Sequence, residues 1–189
     1  MHRRVLILPL AAVVIAGLCA WKLSRLDDEE RRHRTAVRPP AMRSAPAFEL
    51  YDDHKPSQIV RLKSYLGRHR ILVVFFDGQA GADRSPVLLR LKREFESLKR
   101  ADVKVFAVSD ALPQQNRPAG ERVGGFPFPL LTDLTGRVHE DWGLAGTKTG
   151  ELRQGVFLID RAGNVAWEKN APQPSADADA LLTHLIDGN

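Results

Sequence analysis

The sequence predicts an α/β domain in which helices flank a central mixed β-sheet. Residues 71–76 read Ile-Leu-Val-Val-Phe-Phe, and a continuous apolar run of this length is typical of a strand buried on both faces. A helical period and a second apolar run at 104–109 follow it, which predicts a right-handed βαβ unit. Closer to the end of the chain, the turn residues 161–164 separate two strand-like runs and predict a β-hairpin.

Strand patterns occur in five segments, residues 58–62, 70–76, 104–109, 155–160 and 165–168. The helix predicted over 87–100 begins after Ser85, a residue type that caps helices well. Residues 175–186 carry the apolar stripe of a closing amphipathic helix. Two prolines and two glycines predict an irregular segment over 112–125. A βαβ unit, a hairpin and a terminal helix together predict a thioredoxin-like α/β sandwich.

The positive charge of the chain lies almost entirely at its N-terminal end. The 189 residues have a net charge of +5. Residues 1–45 hold nine Lys/Arg and four Asp/Glu, whereas residues 46–189 hold nineteen of each. The predicted domain is therefore electrically neutral and lacks the basic footprint of a nucleic-acid-binding protein. No nucleic-acid partner is expected.

The N-terminal region predicts a membrane anchor. Residues 5–23 are mostly apolar and follow three basic or histidine residues, a combination that favours a membrane span with a cytoplasmic N-terminus. A cleavable signal peptide is the alternative, but cleavage after Ala20 would place Leu18 where a small residue is preferred. Leu18 also argues against lipidation of Cys19. We therefore expect a single-pass signal-anchor over residues 1–23.

Two further segments follow the anchor. Residues 24–45 are charged and contain Pro39 and Pro40, which predicts a linker that lifts the domain off the bilayer. Residues 46–189 have the length of one globular domain. With the N-terminus in the cytoplasm, this domain is expected on the extracytoplasmic side, periplasmic or extracellular.

Cysteine usage excludes several kinds of chemistry. Cys19 is the only cysteine of the chain, so an intramolecular disulfide, a cysteine-based zinc site and a CxxC redox motif are all excluded. The six histidines are scattered and none is paired at helical ligand spacing. No metal and no cofactor are therefore expected.

Four segments carry a resemblance to a known family: residues 45–50 (APAFEL), 70–76, 126–143 (FPFPLLTD, then Gly and Trp-Gly) and 156–165 (VFLID, then Gly and Val). Their order and spacing resemble the AhpC/TSA family, the peroxiredoxin-like redoxins. The resemblance implies a thioredoxin-like fold and an antioxidant or thiol oxidoreductase activity. It favours the redoxin branch over thioredoxins, because no proline precedes the strand at 155–160.

The residues that the family uses for catalysis are replaced here. Family members carry a Pro, a Thr and the peroxidatic Cys after the strand that corresponds to 70–76, and an Arg distant in sequence. The resemblance aligns those positions with Asp77, Gly81, Arg84 and Gln154, with Arg153 beside the last. In a CxxC register the two cysteine positions fall on Ala80 and Asp83. No catalytic residue is therefore predicted, because a thiolate is the nucleophile in this chemistry.

Two functions remain open at this stage. The first is a membrane-tethered redoxin-like domain with a degenerate site that serves binding or assembly, with an unidentified envelope protein or a second copy as partner. The second is an antioxidant or thiol oxidoreductase that works with a partner's thiol. The loop over 77–84 could also hold an anion at a helix N-terminus, but two aspartates in it oppose that role. The expected contact surface is this loop together with residues 112–125.

Overall fold

The structure, a computed structural model, describes residues 43–55, 57–145, 153–170 and 182–183. They belong to a compact unit that extends from Pro40 to Asn189. The prediction of a closing helix over 175–186 lies mostly outside the described residues. Of that segment the structure describes only Leu182 and Thr183, which are helical, and Leu182 is buried. Within the described residues, no helix has the length and apolarity that a membrane crossing requires.

A five-stranded mixed sheet forms the centre of the domain, in the order β5-β4-β3-β6-β7. Its strands are β3 (Arg70–Phe75), β4 (Val103–Ser109), β5 (Leu130–Thr132), β6 (Gly155–Ile159) and β7 (Val165–Asn170). The strands β3, β4 and β5 are parallel, whereas β6 is antiparallel to both β3 and β7. The mixed sheet and the terminal hairpin predicted from the sequence are confirmed.

The apolar run at 71–76 becomes the middle strand of the sheet. Val73 pairs with Phe106 of β4 on one side and with Phe157 of β6 on the other. Both faces of β3 are covered, since Leu72 and Val74 join one core cluster while Ile71, Val73 and Phe75 join the other. Continuous apolarity is what such a strand requires, because neither face meets water.

The predicted helix over 87–100 is two helices, α1 (Pro86–Arg93) and α2 (Phe95–Arg100). Ser85 caps α1 by accepting a hydrogen bond from the Leu88 N–H at 3.4 Å. At Glu94 the backbone leaves the helical region, with φ −91° and ψ 6°. Leu91 and Leu98, one on each helix, remain buried in the same core cluster. The prediction of one continuous helix was therefore wrong.

A third helix, α3 (Pro113–Arg122), occupies most of the segment predicted to be irregular. Pro113 is tolerated at the first helical position, and the Gln115 side chain accepts the Leu112 N–H at 3.1 Å. Pro118 removes one backbone hydrogen bond in the interior. The helix persists because Asn116, Ala119 and Gly120 are buried against the rest of the domain.

Two further short elements carried no clear sequence pattern, β1 (Glu49–Tyr51) and α4 (Arg137–Asp141). The strand β1 pairs with β2 (Ile59–Arg61), which lies within the strand predicted over 58–62. The β1-β2 ribbon adjoins the main sheet through a bridge between Asp52 and Leu131 of β5. This bridge brings the end of β1 to the carboxyl end of β5, next to the region expected to carry function.

Candidate functional site

The 77–84 loop connects the carboxyl end of β3 to α1. Asp77 organises it, because its Oδ1 accepts the backbone N–H groups of Gln79 at 2.8 Å and Ala80 at 3.1 Å. Gly81 donates its N–H to the Asp77 carbonyl and has φ 92°, which favours glycine. The family resemblance aligns Gly81 with a threonine. In this chain the backbone conformation favours glycine, so this position carries no side-chain hydroxyl.

Gly78 fits closely against the segment that follows β4. A Cβ atom at this position would lie 2.7 Å from the Ala111 Cβ atom and 2.7 Å from the Asp110 Oδ1 atom. Contacts this short require glycine, since every other residue would push the two segments apart. The loop after β3 and the loop after β4 are therefore packed without room for a larger side chain.

Asp83 is held by a residue distant in sequence. Arg122 of α3 donates to both of its carboxylate oxygens, at 2.7 and 3.0 Å. This guanidinium lowers the pKa of Asp83, and the carboxylate in turn raises the pKa of Arg122. Asp83 lies in a short 3-10 turn, Ala82–Arg84, whose Ala82 is fully buried. The ion pair thus ties the loop to α3.

Arg84 is exposed at the end of this turn. It directly precedes Ser85, whose side chain already caps α1. On the other side of β3, Phe75 pairs with Gly155, so Gln154 lies beside Phe76 where the loop begins. Gln154 is half-buried and Arg153 is exposed. The structure thus brings Asp77, Gly81, Arg84 and Gln154 to one edge of the sheet.

Exposed apolar side chains follow the neighbouring strands, and of these only Leu112 falls within the contact surface predicted from the sequence. Among the described residues, three large apolar side chains are exposed, Tyr51 (58 %), Leu112 (48 %) and Leu134 (63 %). Leu112 and Leu134 follow the neighbouring parallel strands β4 and β5, and Tyr51 adjoins the Asp52–Leu131 bridge. We call these three residues the apolar edge. They could have been found only from the topology, because 83 residue positions of sequence separate the first from the last.

Two buried polar groups lie beneath the same end of the sheet. Asp133 accepts hydrogen bonds from the His139 ring at 2.8 Å and from the His139 backbone N–H at 3.0 Å. Burial would raise the pKa of Asp133, but the hydrogen bonds and charge of His139 outweigh it and lower that pKa. The second group centres on Asp53, which contacts Asn116 and Thr132.

The histidines have structural environments where they are described. His139 is buried against the Phe75 ring, with centroids 4.9 Å apart, and His69 contacts Asp102 at 2.6 Å near the opposite end of β3. Within the described ranges, no cluster of three or more His, Cys, Asp or Glu side chains has a geometry that could hold a metal ion.

The fold and the position of the loop define a thioredoxin-fold domain of the redoxin type. A solved peroxidoxin, BcpB from Mycobacterium tuberculosis, superposes with a TM-score of 0.67 at 19 % identity, covering 78 % of this chain and 97 % of that one. The bacterioferritin comigratory protein of Xanthomonas campestris superposes with a TM-score of 0.64 at 18 % identity, covering 75 % and 91 %. These likenesses establish the fold.

The sequence comparisons establish the family. The AhpC/TSA family model matches residues 42–168. Alkyl hydroperoxide reductase E from Mycobacterium tuberculosis is 30 % identical over 141 residues, which is 74 % of this chain and 90 % of that protein. A selenocysteine-containing peroxiredoxin from Peptoclostridium acidaminophilum is 27 % identical over 128 residues, 64 % of this chain and 63 % of that protein. The chain belongs to the AhpC/TSA family, and it lacks the active-site cysteine.

Proposed function

We propose that this protein is a membrane-tethered redoxin-like domain that binds or assembles with another protein and catalyses no thiol chemistry of its own. The observation that carries the proposal is the absence of cysteine from residues 20–189, with Arg84 at the position that the family resemblance aligns with the peroxidatic cysteine. Cys19, the single thiol of the chain, lies in the apolar N-terminal run, 65 positions away. Peroxide reduction in this family needs a thiolate at a helix N-terminus, where the helix dipole and free N–H groups stabilise it.

The groups around Arg84 support the same conclusion. The Asp77 carboxylate accepts hydrogen bonds from two backbone N–H groups, and the Asp83 carboxylate accepts them from Arg122. Ser85 caps the helix that would otherwise offer its N–H groups to a thiolate. Both carboxylates of the loop thus have internal partners that stabilise the loop as it stands. Such a loop is suited to presenting a fixed surface.

The apolar edge supports a binding role. Exposed apolar surface is a feature of protein interaction sites, and Leu112 of the apolar edge directly follows Ala111, against which Gly78 of the 77–84 loop is packed. Loops at the end of a rigid sheet commonly carry recognition. We place the partner's contact at the apolar edge and the 77–84 loop, and we propose an envelope protein as the partner, facing the extracytoplasmic side on which the anchor would hold the domain.

A photo-crosslinking side chain at position 134 is expected to capture this partner. The full-length protein would be expressed in its own host, and spheroplasts would be irradiated. We expect a discrete adduct of higher mass in the membrane fraction, degraded by protease added from outside. A Leu112→Asp substitution in the same chain should reduce the adduct several-fold, because it places a charge in the apolar edge.

The matched control carries the photo-crosslinker at Ala162. This residue is equally exposed but lies in the turn between β6 and β7, at the opposite end of the sheet. Adducts of equal yield from positions 134 and 162, or none from 134, would contradict a binding role for this edge. An adduct protected from external protease until the membrane is opened would contradict the extracytoplasmic location.

The second candidate is an antioxidant that acts through a partner's thiol. It is favoured by the relatives, since alkyl hydroperoxide reductase E is 30 % identical to this chain over 141 residues. In that case peroxide consumption would require both proteins and would disappear when the partner's cysteine is replaced. A binding module without catalysis would leave the partner's own rate unchanged.

A further inference from the structure

The carboxyl of Asp53 is buried where four elements meet. Asp53 is 1 % exposed and directly follows the Asp52–Leu131 bridge. Its Oδ2 atom accepts from Asn116 Nδ2 of α3 at 2.8 Å, and its Oδ1 atom lies 2.7 Å from Thr132 Oγ1 of β5. Asn116 donates its other amide hydrogen to Ser109 Oγ of β4 at 3.0 Å. The carboxyl therefore joins the β1-β2 ribbon to α3, β4 and β5.

The hydrogen bonds of the Thr132 hydroxyl indicate the protonation state of the Asp53 carboxyl. Thr132 Oγ1 lies 2.7 Å from Asp53 Oδ1 and 3.0 Å from the Ala111 carbonyl oxygen. Both neighbours only accept hydrogen bonds when Asp53 is ionised, but a hydroxyl has one hydrogen to donate. Both contacts are satisfied when Asp53 carries a proton on Oδ1. It then donates to Thr132 Oγ1, and Thr132 donates to Ala111.

The amide of Asn116 fits the same arrangement. Its two hydrogens are used by Asp53 Oδ2 and Ser109 Oγ, so it cannot supply a second donor to Oδ1. A buried carboxylate without charge-balancing donors is costly, whereas the neutral acid needs one acceptor and can itself accept. The hydrogen-bond geometry thus favours the neutral acid over the anion.

This network supports the 77–84 loop by two routes. Through Ala111, it fixes the segment against which Gly78 is packed. Because Asn116 and Arg122 both belong to α3, the network also positions Arg122, which donates hydrogen bonds to Asp83. Arg117 adds a further tie between α3 and this corner, because its guanidinium donates to the Asp53 carbonyl oxygen at 3.0 and 3.1 Å.

We propose that Asp53 is the neutral acid in the folded protein at a pH where exposed aspartates are ionised, and that loss of its proton loosens α3 and the 77–84 loop. On ionisation, Thr132 turns its hydrogen to the carboxylate, and the Ala111 carbonyl loses its donor. The stability of α3 and the 77–84 loop thereby depends on pH. This inference concerns the fold itself and does not depend on whether the edge binds a partner.

The charged groups around Asp53 set the range of the response. Burial raises the pKa of Asp53, and the hydrogen bonds from Thr132 and Asn116 only partly offset it. Asp52 beside it raises this pKa further by repulsion, while a charged His54 would lower it. Arg117 from α3 also adds a positive charge nearby, and the Ser109 and Thr132 side chains from β4 and β5 are neutral.

The sign of the pH effect follows from this direction. An acid whose pKa is raised in the folded state binds more protons folded than unfolded between the two pKa values. Its contribution to stability is therefore full at low pH and is lost as pH rises above 3.8 through the folded pKa. A carboxylate whose pKa is lowered by its hydrogen bonds, such as Asp133, shows the opposite slope.

Asp53→Asn is expected to remove this part of the pH dependence. The amide mimics the neutral acid, since it can donate to Thr132 and accept from Asn116. In the full-length protein in detergent, the melting temperature of the wild type should fall with rising pH relative to Asp53→Asn. Hydrogen exchange at 77–84 should accelerate beyond the intrinsic base-catalysed rate in the wild type only. Asp53→Ala, which can neither donate nor accept, should be less stable than Asp53→Asn at every pH.

The wild type alone provides a second measurement, which does not depend on a variant that folds. The ¹³Cγ resonance of Asp53 should titrate with a midpoint above the ordinary 3.8, in step with the exchange of the 77–84 amides. A midpoint at or below 3.8, or loop exchange unrelated to the Asp53 titration, would overturn the proposal. So would Asp53→Asn and Asp53→Ala variants that are equally destabilised at every pH.

Discussion

Replacing Trp142 by alanine is expected to lower the free energy of unfolding by about 3–5 kcal/mol, the usual cost of deleting a large buried aromatic side chain. Trp142 is fully buried and packs against the rings of Phe157, Phe75 and Phe48, with centroid distances of 4.8, 5.5 and 6.3 Å. These rings come from β6, β3 and the segment before β1, so the cavity would lie where three parts of the domain meet. Chemical denaturation followed by far-UV circular dichroism measures the change.

Trp142→Phe is the matched control. The indole Nε1 atom has no hydrogen-bond partner among the described residues, so phenylalanine breaks no hydrogen bond and keeps part of the ring contact. We expect a clearly smaller loss than for alanine. An alanine variant within about 0.5 kcal/mol of the wild type, as is usual for surface positions, would show that this ring does not lie in the core.

Replacing Asp133 by alanine is also expected to cost about 3–5 kcal/mol, because it leaves the buried His139 without its partner. Asp133 and His139 side chains are each 2 % exposed. The carboxylate accepts from both the ring and the backbone N–H of His139, and Thr135 contacts its other oxygen at 3.4 Å. The substitution would therefore remove the side-chain hydrogen bonds that stabilise the turn between β5 and α4.

Asp133→Asn separates the charge from the hydrogen bonds. The asparagine carbonyl can still accept the His139 hydrogens, so we expect a smaller loss than for alanine. Because the pKa of Asp133 is lowered in the fold, its contribution is present above its unfolded pKa and is lost as pH falls through the folded value. Alanine and asparagine variants of equal stability, or a loss that vanishes at neutral pH, would contradict this assignment.

The central elements were predictable because their signal is local. The strands β3 and β4 and the β6-β7 hairpin appear as apolar runs, and Ser85 marks the start of α1 in the sequence. The three-residue strands β1 and β5 could not be predicted in this way, since such short strands exist only through pairing with distant partners. Helix α3 carries two prolines and no apolar stripe. Its stability comes from tertiary contacts such as that of Asn116 with Asp53, 63 positions away.

The candidate site, like the fold, was predictable only in part from the sequence. The family resemblance located Asp77, Gly81, Arg84 and Gln154, and the structure brings them to one edge of the sheet. What occupies their surroundings could not be predicted, because the Asp83–Arg122 pair joins residues 39 positions apart and the Asp53 network draws on four separate elements. Hydrogen bonds of this kind depend on the packed fold and leave no periodic pattern in the chain.

The most direct test of the account is peroxide consumption by the full-length protein. Wild type and Cys19→Ala would be supplied with hydrogen peroxide or an alkyl hydroperoxide and with dithiothreitol, then with thioredoxin and its reductase. We expect both proteins to match a heat-denatured control under every condition. Consumption above that control would contradict the account. If Cys19→Ala abolishes the consumption, the N-terminal thiol is the catalyst, and if consumption requires thioredoxin, the thiol of thioredoxin is the catalyst. If consumption depends on neither, the domain catalyses the reaction without cysteine.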